Sequence, residues 1–235
     1  KKYVKNIGVV FGQRSGLWWD VPPIDSVELL KDIYNIPQKE YEQKLKELTE
    51  SLDLEEIKNI PTRQLSLGQR MRCEIAAALL HNPKILFLDE PTIGLDAVSK
   101  LSLRKCIKTI NEKTNLTIIL TTHDMQDIEA LTNRIILIGK GKILYDGSLE
   151  KIKSKYKDKM KINVKFKYTD KKIKIKEAKI LEQTEESASL VLKHKDENMA
   201  DILNELTSQV DIVDINIEDM STDDVIAKLY KELKI

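Results

Sequence analysis

The sequence predicts a parallel α/β domain followed by a small α+β domain. Lys84–Leu88, an apolar run without polar alternation, suits a central parallel strand covered on both faces, and Leu116–Leu120 reads as a second fully apolar, buried strand. Helix-like stretches separate them, so the order strand, helix, strand, helix, strand implies an α/β sheet. Past Lys151 the pattern changes. Ile162, Val164, Phe166 and Tyr168 alternate with polar residues, as half-buried strands do.

Taken in order, Ile7–Phe11 reads as a short buried strand, and Gly12 to Pro23 as a loop with Gly, Asp and two prolines. Residues 25–54 read mainly as helices. Ser66 opens a helix through Leu80, rich in helix formers and stopped at His81-Asn82-Pro83. Ala97–Lys113 and Asp124–Leu131 are helices. Ile135–Ile138 and Lys142–Tyr145 flank Gly139-Lys140-Gly141 as a hairpin. In the second domain, Ile173–Lys176, Leu190–Leu192 and Ile212–Ile217 read as strands, with helices at Met199–Leu206 and Ser221–Leu233. The expected boundary lies at 150/151, with a helical subdomain at about 25–82 and a ferredoxin-like appendage after 150.

The chain has 235 residues, 33% charged and 41% hydrophobic, with a formal net charge of +1. That balance provides no overall field for nucleic acid. Cys73 and Cys106 lack C-x-x-C spacing and read as buried, reduced thiols. No apolar run reaches the eighteen residues of a membrane span, and the N-terminus has no apolar stretch of a secretory signal. The expected location is cytoplasmic, with any membrane role exercised through a partner. The lysines of 151–179 read as the wet face of strands, although a basic stretch can also meet anionic lipid.

Three places carry chemistry. Lys84-Ile85-Leu86-Phe87-Leu88-Asp89-Glu90 ends an apolar strand in two carboxylates, where open α/β sheets bind ligands. One acid there can hold Mg²⁺ through water, and its neighbour can polarise an attacking water. The plainer alternative is a solvated acidic turn. Thr121-Thr122-His123-Asp124 repeats the geometry: His123 could donate to a phosphate, or be structural with Asp124 as a helix cap. Leu65-Ser66-Leu67-Gly68-Gln69 fits a capping box, and a helix N-terminus with an early Gly also suits an anion. Trp18 and Trp19 fit equally a partner-facing pair or a packed one.

The order and spacing of these segments resemble the ABC transporter ATP-binding subunits. Leu65–Gln69 resembles the signature motif, Ile85–Glu90 the Walker B strand with its catalytic Glu, and Gly94-Leu95-Asp96 the D-loop. His123 resembles the H-switch and Phe11-Gly12-Gln13 the Q-loop. The likeness covers about residues 1–150, and Phe11–Asp20 resembles the exporter branch with a small C-terminal extension. The resemblance implies an ABC ATPase of the P-loop NTPase class that binds ATP and Mg²⁺ in a head-to-tail dimer and powers a separate membrane permease. It implies that Ser66, Gly68 and Gln69 contact the γ-phosphate across the dimer and that Asp89 holds Mg²⁺ through water. Glu90 would be the general base, and His123 would stabilise the γ-phosphate. Gln13 would sense Mg²⁺ and water, while Asp96 relays between subunits.

Two departures stand out. Leu67 replaces the commoner Gly, at a helix start that needs no positive φ. No G-x-x-x-x-G-K-[ST] occurs in the chain, and only twelve residues precede Gln13. The expectation is an N-terminally truncated domain that binds ATP poorly and does not hydrolyse it alone. Two other readings stand beside the motor subunit. One is a soluble ABC ATPase acting on nucleic acid or ribosomes, which the absence of coiled-coil insertions and of a second cassette opposes. The other is a non-catalytic regulatory module lending its signature face.

Overall fold

In the computed structural model the described residues are 3–12, 14–114, 116–156, 160–170, 172–192, 198–219, 222 and 224–225. They fall into two compact units, Lys1–Thr132 and Asn133–Ile235. The hairpin expected to close the first domain groups with the second unit.

The first unit is built on three parallel strands in the order β1 (Ile7–Phe11), β2 (Ile85–Asp89), β3 (Thr117–Thr121). Between β1 and β2 run α1 (Pro23–Tyr34), α2 (Gln38–Leu52) and α3 (Leu67–Leu79). Then α4 (Ala97–Lys113) leads into β3, and α5 (Met125–Leu131) follows it. Each stop is legible: α1 and α2 end on Asn35 and Asp53 in the left-handed conformation, as residues with short polar side chains tolerate. The core joins Val10, Leu86 and Leu88 of the sheet to Leu52 of α2, Met71, Ile75 and Leu79 of α3, and Leu103 and Ile107 of α4.

That core lies on one face of the sheet. On the other, Val9, Phe87 and Ile119 stand in register, and Val9 and Ile119 are more than 40% exposed. The expectation that β3 is a buried strand is therefore corrected: among the described residues only one of its faces is packed. A cleft of about 410 Å³ opens at the N-terminal ends of β2 and β3, between α2 and α4.

The second unit begins with the antiparallel hairpin β4 (Arg134–Gly139) and β5 (Lys142–Ser148), followed by α6 (Leu149–Tyr156). Next come β6 (Met160–Phe166), β7 (Ala178–Gln183), β8 (Ser187–Leu192), α7 (Met199–Thr207) and β9 (Ile212–Asp219). They form an antiparallel sheet ordered β7-β8-β6-β9. That is the strand order of a split βαβ fold. The first crossover helix is absent, because residues 172–176 run without helix or ladder. Ile173 and Ile175 there were expected to form a strand. They are buried in the core with Ile162, Leu190, Ile202 and Leu206, so their alternation marks one side facing that core without strand pairing. The helix expected at Ser221–Leu233 lies mostly outside the described residues.

Candidate functional site

The carboxyl ends of β1, β2 and β3 meet at one edge. Parallel register sets Phe11, Asp89 and Thr121 side by side. Asp89 is exposed, and its Oδ1 accepts from Thr121 Oγ1 at 2.5 Å. Next along the chain, Glu90 adopts a positive φ of 49°, a conformation that costs energy for a residue with a side chain and clusters at functional sites. The turn aims Glu90 at the end of β3, where its Oε1 lies 2.9 Å from Nδ1 of His123. His123 is 77% exposed, and its hydrogen bond to the Glu90 carboxylate, with that group's charge, raises the imidazole pKa above the usual 6.5. Together these place a carboxylate, an acid–imidazole pair and open solvent at one edge.

Phe11, Gly12, Arg14, Asp89 and Glu90 line a cleft of about 360 Å³ at this edge. Gly12 is required there. Its N–H donates to Asp89 O at 2.8 Å, and a Cβ would stand 2.1 Å from the Glu90 carbonyl oxygen. Arg14 adds a cation beside the two acids, so the cleft presents both signs of charge to a phosphate ester. Gln13, the remaining residue expected here, lies outside the described residues.

A buried network braces the edge from below. Asp127 of α5 is fully buried. It accepts from Thr92 Oγ1 at 2.5 Å, Thr122 Oγ1 at 3.1 Å and Arg104 Nε at 2.5 Å. Thr92 follows Glu90 by two residues and Thr122 precedes His123. One carboxylate thus fixes the loops that carry both members of the pair. Lys100 and Arg104 also hold Asp124, the cap of α5, and the Lys100 hydrogen bond keeps the Asp124 carboxyl below its ordinary range.

The N-terminus of α3 forms a separate patch. Ser66 and Gln69 make the full reciprocal capping box: Gln69 N donates to Ser66 Oγ at 3.2 Å, and Ser66 N donates to Gln69 Oε1 at 2.9 Å. Leu67 is the first helical residue and half-buried, so its side chain fits the position without left-handed backbone. Gly68 is buried against α4, where a Cβ would come within 2.9 Å of Ser99 Cβ. Ser99 is also the partner of Asp96, the cap of α4. Asp96 accepts from Ser99 N at 2.9 Å and Ser99 Oγ at 2.6 Å, bonds that lower its carboxyl pKa. Asp96 therefore joins the Ser66–Gln69 patch through Ser99.

Among the described residues no group of three or more His, Cys, Asp or Glu can cage a metal ion. The oxygen donors of Asp89 and Glu90 suit Mg²⁺ nonetheless. That ion is usually held by one or two carboxylates, its own water and substrate phosphates, and Asp89 Oδ2 has no protein donor among the bonds of the described residues.

Asp127, Thr92 and Arg104 were not foreseen, and Gly12, Arg14 and Thr121 were read only as parts of motif segments. The bond from Thr121 to Asp89 becomes visible only once the register sets them side by side. Asp127 sits in a polar helical stretch, where nothing local separates a buried acid from a wet one. Trp18 and Trp19 are 55% and 53% exposed, with Arg70 5.7 Å from the Trp19 ring.

Segments of both units are similar to known proteins. Residues 1–93 match the family model described as ABC transporter, and residues 147–228 match that of the ATP-binding protein DrrA1-3-like, C-terminal domain. The chain is 32% identical over 161 residues to ABC transporter A family member 1 of Dictyostelium discoideum, covering 68% of this chain and 18% of that protein. It is 30% identical over 148 residues to the ABC transporter ATP-binding protein NatA of Bacillus subtilis (strain 168), covering 63% of this chain and 60% of that protein. The methionine import ATP-binding protein MetN 2 of Oceanobacillus iheyensis is 35% identical over 145 residues, 62% of this chain and 42% of that protein. The chain thus spans at most about 60% of the length of these relatives. Among solved structures, cbiO1 of Clostridium perfringens, part of the ABC transporter complex cbiONQ, superposes with a TM-score of 0.59 at 26% identity, over 64% of this chain and 60% of that one. With the mixed α/β fold of an ABC ATPase and these two matching segments, the chain belongs to the ATP-binding proteins of ABC transporters.

Proposed function

We propose that this chain is the motor subunit of an ABC exporter, acting on a separate membrane permease. The observation that carries the reading is the Glu90–His123 pair beside Asp89 at the sheet edge, held there by Asp127. In this reading Glu90 is the general base that takes a proton from the attacking water. His123 steadies the γ-phosphate, its Nδ1 held toward Glu90. Asp89 would hold Mg²⁺ through water and Gln13 would sense the ion and its water; bound Mg²⁺ would supply positive charge against the phosphates. Ser66, Gly68 and Gln69 face the ATP of a second ATP-binding subunit, identical or related, and Asp96 relays between the two.

Trp18 and Trp19 support a permease contact, because they stand exposed on a well-anchored loop. The cbiO1 relative belongs to an ABC transporter complex, in line with a membrane partner. No helix among the described residues is long and apolar enough to cross a membrane, so in this reading the chain works from the inner face of the membrane. Export rests on the likeness of Phe11–Asp20 to the exporter branch; import proteins are also among the relatives.

With a P-loop segment supplied ahead of Ile7, co-expression with a multi-span membrane protein tests the reading. That complex should purify together and hydrolyse ATP, and Glu90→Gln should lower its rate about 10²–10⁴-fold. Transport into or out of vesicles then reads direction. Residues 1–235 contain no G-x-x-x-x-G-K-[ST] cradle, so alone they should bind ATP poorly and show no turnover; full ATPase activity from these residues by themselves would refute that part.

A further inference from the structure

Glu74 is a buried acid without a counter-ion among the described residues. It sits in α3 among Cys73, Ile75 and Ala76, and is 8% exposed. A buried carboxylate is costly unless hydrogen bonds satisfy it, and among the described residues no lysine or arginine pairs with it. Its donors come from the loop after β1. Ser15 Oγ donates to Glu74 Oε1, and Gly16 N lies 3.1 Å from both carboxylate oxygens.

The far end of that loop is held by the segment just before α3. Thr62 N and Thr62 Oγ1 each donate to Val21 O at 3.0 Å, and Arg63 N donates to Trp19 O at 3.0 Å. Arg63 Nη1 reaches Asp20 Oδ1 at 2.9 Å. Ser66–Gln69 lies in sequence between these two clamps, Thr62–Arg63 and Glu74. Leu17 is buried in the middle of the loop, while Trp18 and Trp19 point outward.

We propose that Glu74 is a positioning residue that fastens the Trp18–Trp19 loop to the helix headed by Ser66, so that the two move as one body. The nucleotide-facing and partner-facing roles of its two ends rest on the function proposed above. The fastening itself does not. Displacement of Ser66–Gln69 then reaches Trp18 and Trp19 through a carboxylate that touches neither nucleotide nor partner.

The two tryptophans of the loop are the only ones in the chain, so fluorescence reports on it directly. In the purified chain, Glu74→Ala should speed amide exchange at Gly16–Trp18 by at least about tenfold, the loss expected for hydrogen bonds to a charged group. Acrylamide quenching should rise in parallel, with exchange in β2 and α4 unchanged. Glu74→Gln keeps an acceptor oxygen and should return most of the protection. Ser15→Ala combined with Glu74→Ala should add nothing to Glu74→Ala. Unchanged exchange at Gly16–Trp18, or an equal rise throughout residues 3–132, overturns the proposal. If Glu74→Ala does not fold, Ser15→Ala decides: its exchange at Gly16–Leu17 should rise, and an unchanged rate overturns the proposal. In the P-loop-bearing complex with the membrane partner, Glu74→Ala should keep ATP binding and lose stimulation by the partner; retained stimulation overturns the transmission. If no such complex forms, the proposed function fails while the exchange results still judge Glu74.

Discussion

At the residue scale, protonation of two histidines is set by opposite surroundings. Glu90 raises the pKa of the exposed His123, so their pairing persists below the raised value and is lost as pH climbs through it. Glu90→Gln should bring the His123 titration midpoint back down toward 6.5, read by the imidazole proton shifts in NMR; an unmoved midpoint would contradict the pairing. His81 is the converse. It stacks on Tyr34 with ring centroids 4.0 Å apart, its Nε2 meets Ile7 O at 3.1 Å, and its buried Nδ1 has no partner. Burial lowers its pKa below 6.5. The unfolded chain therefore binds the proton more readily, and stability should fall as pH drops from about 6.5 through the lowered folded value. His81→Gln should flatten that part of the stability–pH curve in urea titrations. Both cysteines are buried and free, and burial lifts the Cys73 thiol to about 12, which makes it a poor nucleophile.

At the scale of elements, what matters is how helices grip the sheet edge. Asp127 accepts from three side chains on α4, the turn after Glu90 and the end of β3. Asp127→Ala leaves Arg104 buried without its main partner, a loss typically worth about 3–5 kcal/mol. We expect a fall of that order in unfolding free energy by denaturant titration, and a cost near zero would show that the network does not brace the edge. The capping box of α3 is a smaller matter: Ser66→Ala should cost about 1 kcal/mol by the same measurement. Helix spans and the caps at Ser66 and Asp124 were largely legible beforehand, because each precedes an apolar-periodic run, whereas Asp96 was read only as part of the D-loop segment. The network was not. An acid within a helix looks the same whether it points into the protein or into water, and only packing of α5 against α4 separates the two.

At the scale of the molecule, the two units have separate cores, one around Leu86, Leu88 and Ile75, the other around Ile162, Leu190 and Leu206. Residues 133–235 should fold as an isolated fragment, with a dispersed amide spectrum and a cooperative melt; a collapsed spectrum would show that the second core depends on the first unit. By itself the sequence determined the α/β order, the strands ending in Asp89 and Thr121, the caps at Ser66 and Asp124, and the five motif segments with their family. These follow from local periodicity and from residues that start and stop elements. Tertiary structure alone decided that β3 is covered on one face, that Ile173 and Ile175 pack without joining a sheet, and that Glu90 meets His123. It also placed Asp127 and Glu74 inside. Those outcomes turn on which surfaces meet across many residues of separation, and no local pattern carries that information.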